Sequence, residues 1–258
     1  QDKGLVYENL IIDGMNSALA ENPTILDFDN AVSRRIKLTN AEEEIDLILR
    51  IGNLILIGEA KSIVTTDSPI SNYRTIETLK HAAAQVRRKT EFVQSNLEAI
   101  FKKLNWGYDG NTEYEFASCI INSGRMYVGF DIEGIPVCDE KVLLKYFQES
   151  EVPIASIFDE NRETKHLAWI TLYSNFDELK NNLSTYLSNP PQIFERKEHL
   201  EYKTITLPYQ TEDSYKVEFK RFIPKEIAVK DRVEIDHPFP IGKIYNYDEE
   251  IKKIDFIV

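Results

Sequence analysis

The run EEEIDLILRIGNLILIGEAKSI, residues 42–63, constrains this chain more than any other stretch. Two strongly apolar segments are joined by Gly52-Asn53 alone. A two-residue connection of this composition signals a β-hairpin, because such turns need residues that tolerate positive φ. If Ile51 pairs with Leu54, the ladder sets Arg50 opposite Ile55, Ile48 opposite Ile57 and Leu47 opposite Gly58. It also sets Asp46 opposite Glu59, with Cβ atoms roughly 5 Å apart. Lys61, two residues beyond Glu59, points to the same side of the sheet. Both faces are otherwise apolar, which predicts central strands covered on both sides.

Two carboxylates held side by side at low dielectric repel unless a cation sits between them or one keeps a proton. The expectation is a bound divalent ion. Oxygen donors suit Mg2+, with Mn2+ as a substitute. An ammonium next to such a pair can orient a water or stabilise an anion, and metal-assisted hydrolysis of a phosphodiester uses all three groups together. Acidic-x-Lys triplets recur along the chain, so the triplet alone carries little weight. Glu218-Phe-Lys220 is the strongest rival, because it too falls on an expected strand, but it lacks an acidic partner across a tight turn.

Around the hairpin, residues 4–21 read as a helix with an apolar stripe of Leu5, Ile11 or Ile12, Met15 and Leu19. SRRIKLT reads as a strand. Ser68-Pro69 supplies helix-start chemistry, and 73–104 reads as one long helix whose stripe runs through Ile76, Leu79, Ala83, Val86, Val93, Leu97, Phe101 and Leu104. YEFASCIIN, RMYVGF and IPVCD read as strands, followed by a helix over EKVLLKYFQES. This order predicts an α/β core with a central mixed sheet flanked by helices. Residues 1–150 are expected to form that core and 151–258 an α+β C-terminal extension. In the extension HLAWITLYS reads as a strand, NFDELKNNLSTYLSN as a helix capped by Asn175, and YKTITLPY with SYKVEFKRFI as paired strands.

EIDLILRIGNLILIGEAKS resembles the core of the PD-(D/E)XK nuclease superfamily, which has the restriction-endonuclease-like fold. Ile45 stands where that family's name has proline. The resemblance implies that Asp46 and Glu59 are metal ligands, that Lys61 positions the attacking water, and that the carbonyl of Ala60 is a further ligand. It also implies a glutamate from the preceding helix, for which Glu8 is the match. A helix after the lysine strand often offers polar groups to substrate in this family; here Gln85, His81 and Arg88 share one helix face, and Arg74 lies on the same helix. The implied activity is Mg2+-dependent cleavage of nucleic acid, with DNA as the expected substrate and RNA as the alternative. A rival expectation is a catalytically inactive module of the same fold, used for binding nucleic acid or protein within a larger assembly.

The remaining features bound this reading. The formal charge of −12 repels nucleic acid as a whole, so binding needs a local basic surface. Arg74, Lys80, Arg87, Arg88 and Lys89 make the long helix the candidate. Two cysteines without metal-type spacing, and no apolar run long enough to span a bilayer, point to a cytoplasmic protein with no membrane partner. A first residue of Gln rather than Met leads to the expectation of a piece of a longer polypeptide or complex, and nucleases of this kind often act as pairs. The acidic run Glu42–Glu44 reads as a solvated loop.

Overall fold

The computed structural model describes residues 3–63, 68–158, 162–198, 200–208, 216–224 and 236–244. The chain divides into two compact units, Gln1–Glu151 with Thr171–Pro190, and Val152–Ile170 with Pro191–Val258. The first is therefore discontinuous in sequence.

In the first unit, helix α1 (Lys3–Glu21) precedes three strands, β1 (Phe28–Lys37), β2 (Glu42–Ile51) and β3 (Leu54–Lys61). Helices α2 (Pro69–Ser95) and α3 (Leu97–Leu104) follow. Then come β4 (Glu115–Asn122), the two-residue β5 (Asp131–Ile132), β6 (Ile135–Cys138) and α4 (Glu140–Gln148). Helix α5 (Phe176–Ser188) returns to this unit after an excursion. The six strands form one mixed sheet in the order β1-β2-β3-β4-β6-β5, with β3, β4 and β6 parallel and the remaining pairs antiparallel. The protein is thus α/β, a mixed sheet flanked by helices.

The hairpin has the register expected of it. Ile51 pairs with Leu54, Arg50 with Ile55, Leu49 with Leu56, Ile48 with Ile57 and Leu47 with Gly58. Gly52 takes φ +58°, as the first central residue of a type II′ turn requires and as a side chain would resist. Asn53 ties the turn to its surroundings: its carbonyl accepts from the Glu115 amide at 2.9 Å and its Oδ1 from Lys180 Nζ at 3.0 Å. The half-buried Arg50 is answered by Asp27, which it reaches at 2.7 and 2.8 Å, and by Asp29.

Strands β2 and β3 are central and dry, with Ile45, Leu47, Ile48, Leu49 and Ile55 to Ile57 fully buried. On one face Ile48, Ile55 and Ile57 pack with Val93 of α2 and with Ile100 and Phe101 of α3. Further along α2, Leu79, Ala82, Ala83 and Val86 meet Ile120 and Val137. Each such side chain withdrawn from water contributes about 1.5–3 kcal/mol, so α2 is held firmly across β2, β3 and β4. Helices α1, α4 and α5 pack on one another and on the sheet, covering its other face. Cys119 and Cys138 are buried free thiols.

The structure corrects several sequence expectations. The helix over 73–104 is two helices. The break is at Asn96, whose φ of −131° leaves the helical region while its Nδ2 donates to the Phe92 carbonyl at 2.8 Å. RMYVGF is a succession of turns, not a strand, because Arg125, Tyr127 and Gly129 all take positive φ. Leu5 is 56 % exposed rather than part of the α1 stripe, which is Ile11, Met15, Ala18 and Leu19. Glu42–Glu44 begin β2 and are ion-paired, with Arg35 held by Glu42 and Glu44 and Arg88 by Glu43.

In the second unit, β7 (Glu151–Phe158) and β8 (Thr164–Thr171) form a three-stranded sheet with β11 (Ile241–Ile244) in the order β11-β8-β7. After α6 (Pro191–Glu198), β9 (Leu200–Pro208) and β10 (Lys216–Pro224) pair antiparallel, as expected from their sequences. Glu218 faces Thr206 and Lys220 faces Thr204 in this ladder, so the rival triplet has no acidic residue opposite it; its side chains lie outside the described residues. Among the described residues no helix is long and apolar enough to cross a membrane.

The turn yields a direct prediction. Gly52→Ala forces a side chain into left-handed backbone and against Lys180 and Phe176. Urea denaturation is expected to show a loss of about 1–2 kcal/mol; unchanged stability would mean that the turn does not depend on positive φ.

Candidate metal and catalytic site

The site is assembled where β2 and β3 part. Their pairing runs from the turn to Leu47 and Gly58. Beyond that point the Ala60 amide donates to Asp46 Oδ2 at 3.0 Å. Asp46 thus replaces a ladder contact with a side-chain one, which fixes its carboxylate toward β3. Glu59 follows Gly58 and lies beside Ile120 in the parallel ladder with β4, so it is embedded at the sheet centre and only 2 % exposed. Lys61, at the end of β3, is at the rim with a side chain 23 % exposed.

Asp46 and Glu59 lie just beyond the last paired positions of the ladder, and they converge on an ammonium. Lys89 of α2 donates from Nζ to Asp46 Oδ1 at 2.8 Å and also to Glu59 Oε2. Lys61 Nζ donates to Glu59 Oε1 at 2.5 Å. All four oxygens of the two carboxylates are therefore engaged, two acids against two amines plus one backbone N–H. Burial on its own would lower the affinity of the Lys89 amine for its proton. The charge of Glu59, with the hydrogen bonds that Lys89 donates to both acids and the charge of Asp46, outweighs this and holds its pKa above the usual lysine range. The sequence leads to the expectation of a divalent ion between the acids; the positive charge at that point in the structure is an ammonium of the chain itself.

Lys89 corrects the reading of α2 as well as that of the acids. It was grouped with the basic surface of the helix, yet it is 3 % exposed. The signal for it was a gap in the apolar stripe. Leu79, Ala83, Val86 and Val93 keep a three-four spacing except between the last two, where the position that should be apolar is taken by Lys89. A lysine at a core position of an amphipathic helix implies a buried acid across the interface.

The other candidate residues are brought near this centre to different degrees. Glu8 lies at the end of the buried stripe of α1, half-buried, and accepts from Ser33 Oγ at 3.2 Å. Burial first, and then the charge of Asp46, push its pKa upward, which places it in the electrostatic neighbourhood of the pair. Ala60 contributes its amide to Asp46. Gln85 is half-buried one turn before Lys89 on α2, and His81 is exposed one turn earlier. Arg88 is exposed and grips Glu43 with two hydrogen bonds of 2.7 and 3.0 Å. Arg74 is exposed near the start of α2, about 22 Å of helix from Lys89. Much of the basic surface expected on α2 is already paired: Lys80 with Glu77, Arg87 with Glu133, Arg88 with Glu43, and Lys89 inside. Among the described residues no group of three or more His, Cys, Asp or Glu side chains surrounds one point.

Comparison with protein-family models, with curated proteins and with solved structures finds no match.

The two lysines differ in what their removal exposes. Lys89→Met leaves two buried carboxylates facing each other and is expected to cost about 3–5 kcal/mol in urea unfolding. Lys61→Met acts at the solvent-facing rim and should cost markedly less. Equal losses, or the reverse order, would contradict the assignment of Lys89 as the principal counter-charge.

Proposed function

We propose that this chain is a divalent-metal-dependent nuclease with a restriction-endonuclease-like core, cutting DNA. The observation that carries this reading is the convergence of Asp46 Oδ1 and Glu59 Oε2 on one cationic point, with the Lys61 ammonium on the neighbouring oxygen of Glu59. The donor set fits a hard ion: two carboxylates on adjacent central strands, already positioned to share a single positive charge.

Asp46 and Glu59 would hold Mg2+, or Mn2+ in its place, and Glu8 is a further carboxylate that feels the charge of Asp46. When bound, the ion supplies positive charge for the scissile phosphate and makes water acidic enough to attack at neutral pH. The chain's own residues do the positioning. The Ala60 amide fixes the plane of the Asp46 carboxylate. Lys61 Nζ, at the rim and anchored on Glu59 Oε1, orients the attacking water and meets the negative charge that builds on the phosphate oxygens.

A protein of charge −12 needs a local surface for a polyanion, and the exposed Arg74, Lys80, Arg87 and Arg88 of α2 supply one. The ion pairs of Lys80, Arg87 and Arg88 are at the surface, where such pairs contribute about 0–1 kcal/mol, so a phosphate backbone can exchange with their carboxylates.

One observation favours a second reading. Lys89 and Lys61 together already neutralise the pair, so a catalytically inactive module of this fold, binding nucleic acid or protein in a larger assembly, needs no metal at all.

A single assay separates the two. The protein is incubated with Mg2+ or Mn2+ and supercoiled, linear duplex and single-stranded DNA, and with RNA. DNA cleavage is expected. Asp46→Asn and Lys61→Ala should each reduce its rate by about a hundredfold or more while far-UV circular dichroism is unchanged. Absence of cleavage on every substrate with either ion would overturn the nuclease reading.

A further inference from the structure

We propose that Lys89 is a tethered resident cation of the Asp46–Glu59 pair, and that a divalent ion binds there by displacing its ammonium. The inference rests on the metal-dependent reading above and adds to it a mechanism by which this chain sets its own metal affinity.

The geometry makes the two cations exclusive. Lys89 Nζ is within hydrogen-bond distance of both Asp46 Oδ1 and Glu59 Oε2. A divalent ion held by Asp46 and Glu59 would need the same two oxygens that the ammonium now engages, and would bring the two cations into close proximity. At low effective dielectric, two positive charges at that spacing repel strongly. One must leave.

The same geometry explains why a lysine is there. Without any cation, two buried carboxylates face each other, and an uncompensated buried charge is strongly destabilising. The metal-free protein avoids this through Lys89, on a helix clamped by Val86 and Val93 on either side of it. Lys89 is therefore the stabiliser of the resting state and the competitor of the ion. Its four-carbon stem is flexible, so the ammonium can swing off the two acids while the helix stays in place. Metal affinity is reduced by the cost of moving the ammonium, in the way that a binding-competent minor state lowers any apparent affinity.

The test uses the full chain and Mn2+ as the probe. Isothermal calorimetry compares wild type, Lys89→Met and Asp46→Asn. Lys89→Met is expected to bind Mn2+ on the order of tenfold more tightly than wild type, and its melting temperature should rise more on adding Mn2+. Asp46→Asn should lose the binding heat. A second measurement needs no variant: acylation of wild-type lysines followed by peptide mass spectrometry. Lys89 should be unreactive without metal and become reactive at saturating Mn2+, with the exposed Lys102 of α3 reactive in both states as the internal reference. This measurement decides the matter if Lys89→Met does not fold. If wild type binds Mn2+ but Lys89→Met binds no more tightly, or Lys89 stays protected in the Mn2+ complex, the displacement proposal is wrong while the metal site stands. If neither protein binds Mn2+, the metal-dependent reading falls and this proposal with it.

Discussion

Two carboxylates that cannot both stay buried without a positive charge between them organise the centre of this protein. Asp46 and Glu59 are brought together just past the end of the β2–β3 ladder, whose Gly52-Asn53 turn fixes which residues stand opposite one another. The rest of the core accommodates that juxtaposition. Helix α2 runs across the strands with Lys89 in the middle of its buried stripe, and the strands diverge just enough for the Ala60 amide to reach Asp46 instead of continuing the ladder. The apolar packing of Ile48, Ile57, Val86 and Val93 around this cluster keeps the local dielectric low. Low dielectric makes the ionic contacts strong, and it would make their loss costly.

Such a centre can be read in two ways, and the difference lies in which cation is counted. A closed network of two acids and two amines is a stable structural device. The same network is a poised site if one amine can be exchanged for an ion and the other remains to act on a substrate. The division of labour between the lysines favours the second view. Lys61 is at the rim, paired with a single oxygen of Glu59, whereas Lys89 is deep and bridges both acids. In the proposed nuclease reading, burial more than spacing in the chain separates the two roles, Lys61 toward a phosphate and Lys89 in the resting state.

The hairpin was legible in the sequence because it depends on local rules: a Gly-led two-residue turn, a period-two alternation, and apolar runs too long to face water. Counting from the turn gives the pairs from Ile51 and Leu54 to Leu47 and Gly58. The expected pairing of Asp46 with Glu59 falls where the ladder has already ended, and the two acids meet through Lys89 instead. The caps at Ser68 and Asn175 were legible for the same reason. What the sequence did not disclose was tertiary. Nothing in the spacing of 46, 59 and 61 says that residue 89 returns to them across the sheet, although the gap in the α2 stripe marked the position. The break at Asn96 replaced one helix by two because a side-chain bond to the Phe92 carbonyl competes with helix continuation. The turns at 125–130 replaced a strand because apolar content does not reveal positive φ at Arg125 and Tyr127.

Anomalous diffraction from crystals grown with Mn2+ tests the central claim most directly. The account predicts an anomalous peak between the Asp46 and Glu59 carboxylates, with the Lys89 ammonium withdrawn from both. A map with no peak at that point, and Lys89 still bridging the two acids at saturating metal, would contradict it.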